Sequence, residues 1–246
     1  MKARSVLIYA FLIAILAQTA NSQNMPEITL TARGYVVAAL LASEKYGDEE
    51  RAISLLNKAL DINPEFAEAY HARGLSKSVI KDYEGALSDF NKAIKYNPRY
   101  APTYSARGNI KLRHGDTEGA LSDFNMAIEI NPELASAYTY RGDIKRDQGD
   151  FGGAIADFNK AIEIDPTDEL SFTYRGMTKL TLEDYRGAII DLDRAIEIDP
   201  KYGRPYFFRG WAKFNLGHKH EACLDLSKAG ELGITDVYEV ISMFCK

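Results

Sequence analysis

Apolar side chains recur along this chain with helical spacing inside a longer, fixed period. Between residues 67 and 100 the large apolar positions are Tyr70, Leu87, Phe90, Ile94 and Tyr96, and they return as Tyr104, Leu121, Phe124, Ile128 and Ile130. Steps of three and four mark one buried face of a helix. The small residues Gly74, Ala86 and Ala93 return as Gly108, Ala120 and Ala127, where two helices can approach closely. Each period therefore predicts two helices, an A helix from Ala67 to Ile80 and a B helix from Tyr83 to Tyr96. Asp82, Asp116, Asp150 and Asp184 stand where they can cap the B helices, and Gly115 and Gly149 can close the A helices before them. Pro64, Pro98, Pro132, Pro166 and Pro200 are each 34 residues apart. The residue before each proline is pushed out of the helical region, which stops the B helix. A period of this length predicts a solenoid of stacked units, an architecture suited to holding another molecule.

The series Tyr70, Gly74, Ala86, Phe90, Ala93, Pro98 repeats as Tyr104, Gly108, Ala120, Phe124, Ala127, Pro132 and as Tyr138, Gly142, Ala154, Phe158, Ala161, Pro166. With these residues the chain resembles the tetratricopeptide repeat (TPR) family. The resemblance implies an all-α fold, a right-handed superhelical solenoid of antiparallel helix-turn-helix repeats. It covers residues 33–236 as repeats 33–66, 67–100, 101–134, 135–168, 169–202 and 203–236. Val36, Leu40 and Leu56 depart from the signature in the first repeat and Ile234 in the sixth, as terminal units of a solenoid commonly do. The remainder, 235–246, carries Val237, Val240, Ile241 and Phe244 at helical spacing and predicts a C-terminal capping helix.

Residues 1–22 follow another pattern. Lys2 and Arg4 precede an apolar run from Ser5 to Ala17, and a small polar stretch follows, the order of a secretory signal peptide. Ala20 and Ser22 place the expected cleavage before Gln23, leaving 23–32 as a short lead-in. The apolar run is shorter than the ~20 residues that cross a bilayer, so no membrane span is expected in the mature chain. Localisation is expected to be exported, periplasmic or secreted, in a bacterial cell envelope. Removing the leader takes away two cations and no acid, moving the formal net charge from −5 to −7. So acidic a chain lacks the excess of Lys and Arg that nucleic-acid binding needs, and no nucleic acid is expected as a partner.

Several residues invite a chemical role. Arg73, Arg107, Arg141, Arg175 and Arg209, each with a lysine four residues on, form a basic ladder, but Asp89, Asp123, Asp157, Asp191 and Asp225 recur with the same period. The pattern predicts a charge network between packed helices rather than an anion site. His218, His220 and Cys223 lie close together without a second cluster, so no metal is expected. No set of residues stands out as catalytic, and neither an enzyme nor a cofactor is predicted.

The resemblance also implies that the second, fifth, ninth and twelfth positions of each A helix line a concave groove. In the last two repeats this singles out Leu170, Met177, Leu180, Arg204, Phe207, Trp211 and Phe214 as partner-binding residues, next to the polar Ser136, Thr139, Asp143 and Arg146. Two readings of the aromatic cluster stand: an exposed partner site, or a surface that the capping helix covers. The carboxylate clamp of one subset of the family places Lys and Asn at the fifth and ninth positions; here these are Val37 and Leu41, His71 and Leu75, Ser105 and Asn109, and only Asn109 fits. In an oxidising compartment Cys223 and Cys245 could pair, pinning the capping helix to the sixth repeat. The function expected is a non-catalytic scaffold binding a protein or peptide. The alternative is a self-associating structural protein that stacks through Val36, Leu40 and Leu41.

Overall fold

The computed structural model describes residues 30–235 and 237–245; the expected signal segment, 1–22, and most of the expected lead-in lie outside them. The described residues form helices only: α1 Ala32–Tyr46, α2 Glu49–Ile62, α3 Ala67–Val79, α4 Tyr83–Tyr96, α5 Ala101–Arg113, α6 Thr117–Ile130, α7 Ala135–Asp147, α8 Phe151–Ile164, α9 Glu169–Thr181, α10 Tyr185–Ile198, α11 Gly203–Asn215, α12 Lys219–Glu231 and α13 Val237–Phe244. Odd-numbered helices through α11 are the A helices, and even-numbered ones are the B helices. Two compact units divide within α6, between Asp123 and Phe124. None of the described helices is long and apolar enough to cross a membrane.

The helix ends follow from local chemistry. Asp82, Asp116, Asp150 and Asp184 each accept a hydrogen bond from the backbone N–H three residues on, at 2.9–3.0 Å. Asn97, Asn131, Asp165 and Asp199, each before a proline, accept from the N–H two residues on, which turns the chain toward the next A helix. The residue before each capping Asp has a left-handed backbone. Gly47, Gly115 and Gly149 fill this place cheaply, whereas Lys81 (φ 66°) and Glu183 (φ 61°) hold it against the strain on a β-carbon. In the sixth repeat His218 stands in the cap position, and its side chain makes no capping bond.

The first unit buries Val36, Ala39, Leu56, Ala59 and Tyr70 in one cluster. Val36 is thus core and is not offered for stacking, while Leu40 stays 43% exposed. In the second unit Phe158 is fully buried and rests against Gly142, where a β-carbon would lie 2.7 Å from its ring. That contact explains a glycine inside α7. The C-terminal element is shorter than the 235–246 expected, covering Val237–Phe244. Val237 is fully buried against Leu226 and Ala229, and Tyr206, Phe207, Ile234, Ile241 and Cys245 pack around that cluster.

Candidate functional site

The basic ladder is built into the helix pairs. Arg141 donates from Nε and Nη2 to the two oxygens of Asp157 at 2.8 and 2.7 Å, and from Nη1 to Asn125 at 2.9 Å. Lys145 completes the set on Asp157 at 2.8 Å. Arg73, Arg107, Arg175 and Arg209 repeat the bidentate pairing with Asp89, Asp123, Asp191 and Asp225. Each guanidinium also lies 5.4–5.6 Å from the ring of the aromatic residue three positions earlier. Burial pushes the Asp89 carboxyl up, but the hydrogen bonds from Arg73 and Lys77 outweigh it and hold it below the ordinary carboxylate value. These arginines are engaged on both edges of the guanidinium, as members of a helix-packing network.

Within the second unit, the A helices α7, α9 and α11 bring Arg146, Met177, Leu180, Thr181, Phe207, Phe208 and Trp211 around an open pocket of about 460 Å³. That volume lies in the range of ligand-binding clefts, roughly 300–1,000 Å³. Trp211 remains 41% exposed. Phe214 stacks on it at 6.5 Å between centroids, and Phe207 meets Phe208 edge to face at 5.2 Å. The C-terminal helix packs on the cluster that Phe207 touches, and Trp211 stays open to solvent.

Four of the residues singled out from sequence, Met177, Leu180, Phe207 and Trp211, line this pocket. The other three lie elsewhere. Leu170 borders a smaller cavity of about 160 Å³ with Ser136, Thr139, Tyr140 and Asp168. Arg204 is exposed and does not border this pocket, and Phe214 stacks on Trp211. Thr181, Phe208 and Arg146 are additions. Phe208 holds the place of Tyr140 and Tyr174 in the repeat, one step round the helix from the face that the resemblance assigns to the groove.

Arg146 shapes the polar side. Its guanidinium lies 5.2 Å from the Tyr174 ring, donates from Nε and Nη2 to Asp147, and places Nη2 2.6 Å from Asp143 Oδ1. No donor is aligned with that buried Asp143 oxygen. Burial pushes the Asp143 carboxyl up, and Arg146 pulls the other way. Burial also pushes the Tyr174 hydroxyl up, reinforced by Asp143. With two acids and a ring around one guanidinium, Arg146 is held in place as part of the pocket wall.

Cys223 of α12 and Cys245 just after α13 are joined, Sγ to Sγ at 2.01 Å, with their Cα atoms 5.7 Å apart. His218 and His220 are exposed, and among the described residues no three His, Cys, Asp or Glu side chains are grouped to hold a metal ion.

Family models of the tetratricopeptide repeat match residues 32–66, 67–100, 135–168 and 175–202, together more than half of the chain. The chain belongs to the tetratricopeptide repeat family, whose members are generally non-catalytic scaffolds for protein interaction. No curated protein matches it. Among solved structures it is similar to YrrB, described as a TPR protein with an unusual peptide-binding site, at 26% identity and a TM-score of 0.51, over 71% of this chain and 89% of that one. It is also similar to pilF of Pseudomonas aeruginosa at 17% identity and a TM-score of 0.74, over 86% of this chain and 97% of that one. A tetratricopeptide repeat protein of Parabacteroides merdae matches at 18% identity and a TM-score of 0.65, over 97% and 91% of the two chains. The last two likenesses concern the fold.

Proposed function

We propose that this chain is an exported, non-catalytic scaffold of the cell envelope that binds a protein or peptide through the pocket of its second unit. The observation that carries the reading is the half-exposed Trp211 beside Phe207, Phe208, Met177 and Leu180 in an open pocket of about 460 Å³. Tryptophan and phenylalanine supply large contact area at little entropic cost, and such clusters dominate partner-binding surfaces. The peptide-binding site ascribed to YrrB supports the same ligand class here. Export rests on the basic, apolar and small polar order of residues 1–22. Capture of envelope proteins on the folded chain, beside a Phe207→Ala/Trp211→Ala variant, tests the reading. Loss of a captured species in the variant supports it, and identical catches would remove it.

A further inference from the structure

Phe207 faces two ways. One side lines the pocket, and another packs with Tyr206, Ile241 and Cys245 against the cluster of Leu226 and Val237. The backing of this pocket wall therefore includes α13, an element of only eight residues. So short a helix does not persist on its own, since isolated helices below about 12 residues are marginal in water. It is held by the burial of Val237 at one end and by the Cys223–Cys245 bond at the other. Both cysteines are partly exposed, so a small reductant can reach them.

We propose that the Cys223–Cys245 bond is a redox control of the pocket, holding α13 behind Phe207 when oxidised and releasing it when reduced. The proposal rests on the reading of that pocket as the binding site. Reduction breaks the S–S bond. Two electrons and two protons from a dithiol give the two thiols, and the dithiol becomes its own cyclic disulfide. A link across 22 residues keeps α13 beside α12 during any local opening, and closing a loop of that size shifts an opening equilibrium by roughly two orders of magnitude. Without the link, opening of α13 uncovers Leu226 and removes one support of Phe207, whose other side borders the open pocket beside Phe208.

The test is amide hydrogen exchange on the oxidised protein, the protein reduced with dithiothreitol, and a Cys223→Ser/Cys245→Ser variant, together with acrylamide quenching of Trp211. The proposal expects exchange in Val237–Phe244 to rise at least about tenfold in the last two samples. Exchange in Gly203–Asn215 should rise with it and the quenching of Trp211 should change, while Ala67–Arg113 stays as protected as before. Unchanged exchange in Val237–Phe244 overturns the proposal. So does release of that helix with Gly203–Asn215 and Trp211 unaffected, because the bond would then be a staple with no hold on the pocket. Loss of protection throughout the chain overturns it as well. No ligand enters these measurements, so they fail or succeed independently of the capture experiment.

Discussion

Arg73 donates from Nε and Nη2 to both oxygens of Asp89, at 2.8 and 2.7 Å, while its Nη1 reaches back 16 residues to Asn57 at 2.6 Å. One side chain thus ties its own B helix to the B helix before it. In the second unit Arg141 does the same with Asp157 and Asn125.

Removing one partner of this set leaves a buried carboxylate that has lost its bidentate cation. Arg141→Ala is expected to destabilise the protein by about 3 kcal/mol, and Arg141→Lys to restore only part of that, since an ammonium cannot span both oxygens and Asn125. Urea denaturation of the two variants checks both. Equal recovery by lysine would show that charge alone, and not the planar fork, holds the helices.

Lys81 and Glu183 occupy the left-handed position that glycine fills at Gly115 and Gly149. Lys81→Gly and Glu183→Gly should each stabilise the fold by about 1 kcal/mol, and Gly149→Ala should cost about as much. Thermal melts of the three variants give the signs directly.

His71 is packed against Phe90 and Tyr100, with Nδ1 3.1 Å from the Thr103 hydroxyl. Burial lowers its pKa from 6.5 to about 4. Between these values the unfolded chain binds the extra proton, so this contribution is present above pH 6.5 and is lost as pH falls through 4. Wild type is expected to lose about 1–3 kcal/mol more than His71→Phe across that window. Parallel denaturation curves at pH 7 and pH 4.5 test it, and equal losses would contradict the assignment.

Trp211 borders the pocket, whereas Phe158 is fully buried. Trp211→Ala is therefore expected to change stability by less than about 1 kcal/mol, and Phe158→Ala to cost about 4 kcal/mol. A Trp211 variant as damaged as the Phe158 variant would make the aromatic cluster core.

The sequence period carries most of the fold because caps and close contacts are local. Asp82 needs only the N–H of Gly85, and Gly74 only the ring of Phe90, 16 residues away. The pocket is less legible, because convergence depends on how far side chains reach across helices. Phe207 and Leu170 share the face assigned to the groove, yet Leu170 borders a different cavity, beside Thr139 and Asp168. At the place of Asp168 the first, second, third and fifth repeats carry Phe66, Tyr100, Leu134 and Tyr202, and only the sixth also carries an acid, Asp236, a break in the period visible in the sequence. Phe208 is not legible as a pocket residue because its place in the period otherwise marks packing residues, such as Tyr140 against Phe124. In the sequence Arg146 reads only as polar, since its place in the wall rests on Tyr174, 28 residues away.

On the proposed function, a partner protein or peptide docks on the pocket around Trp211. The most direct measurement is photo-cross-linking with p-benzoylphenylalanine placed at Trp211 and, as a control on an exposed apolar position of α12, at Leu224. A discrete adduct is expected from position 211 in the cell envelope, suppressed by excess unlabelled protein and absent from position 224. No adduct at 211, or the same adducts from both positions, would contradict it.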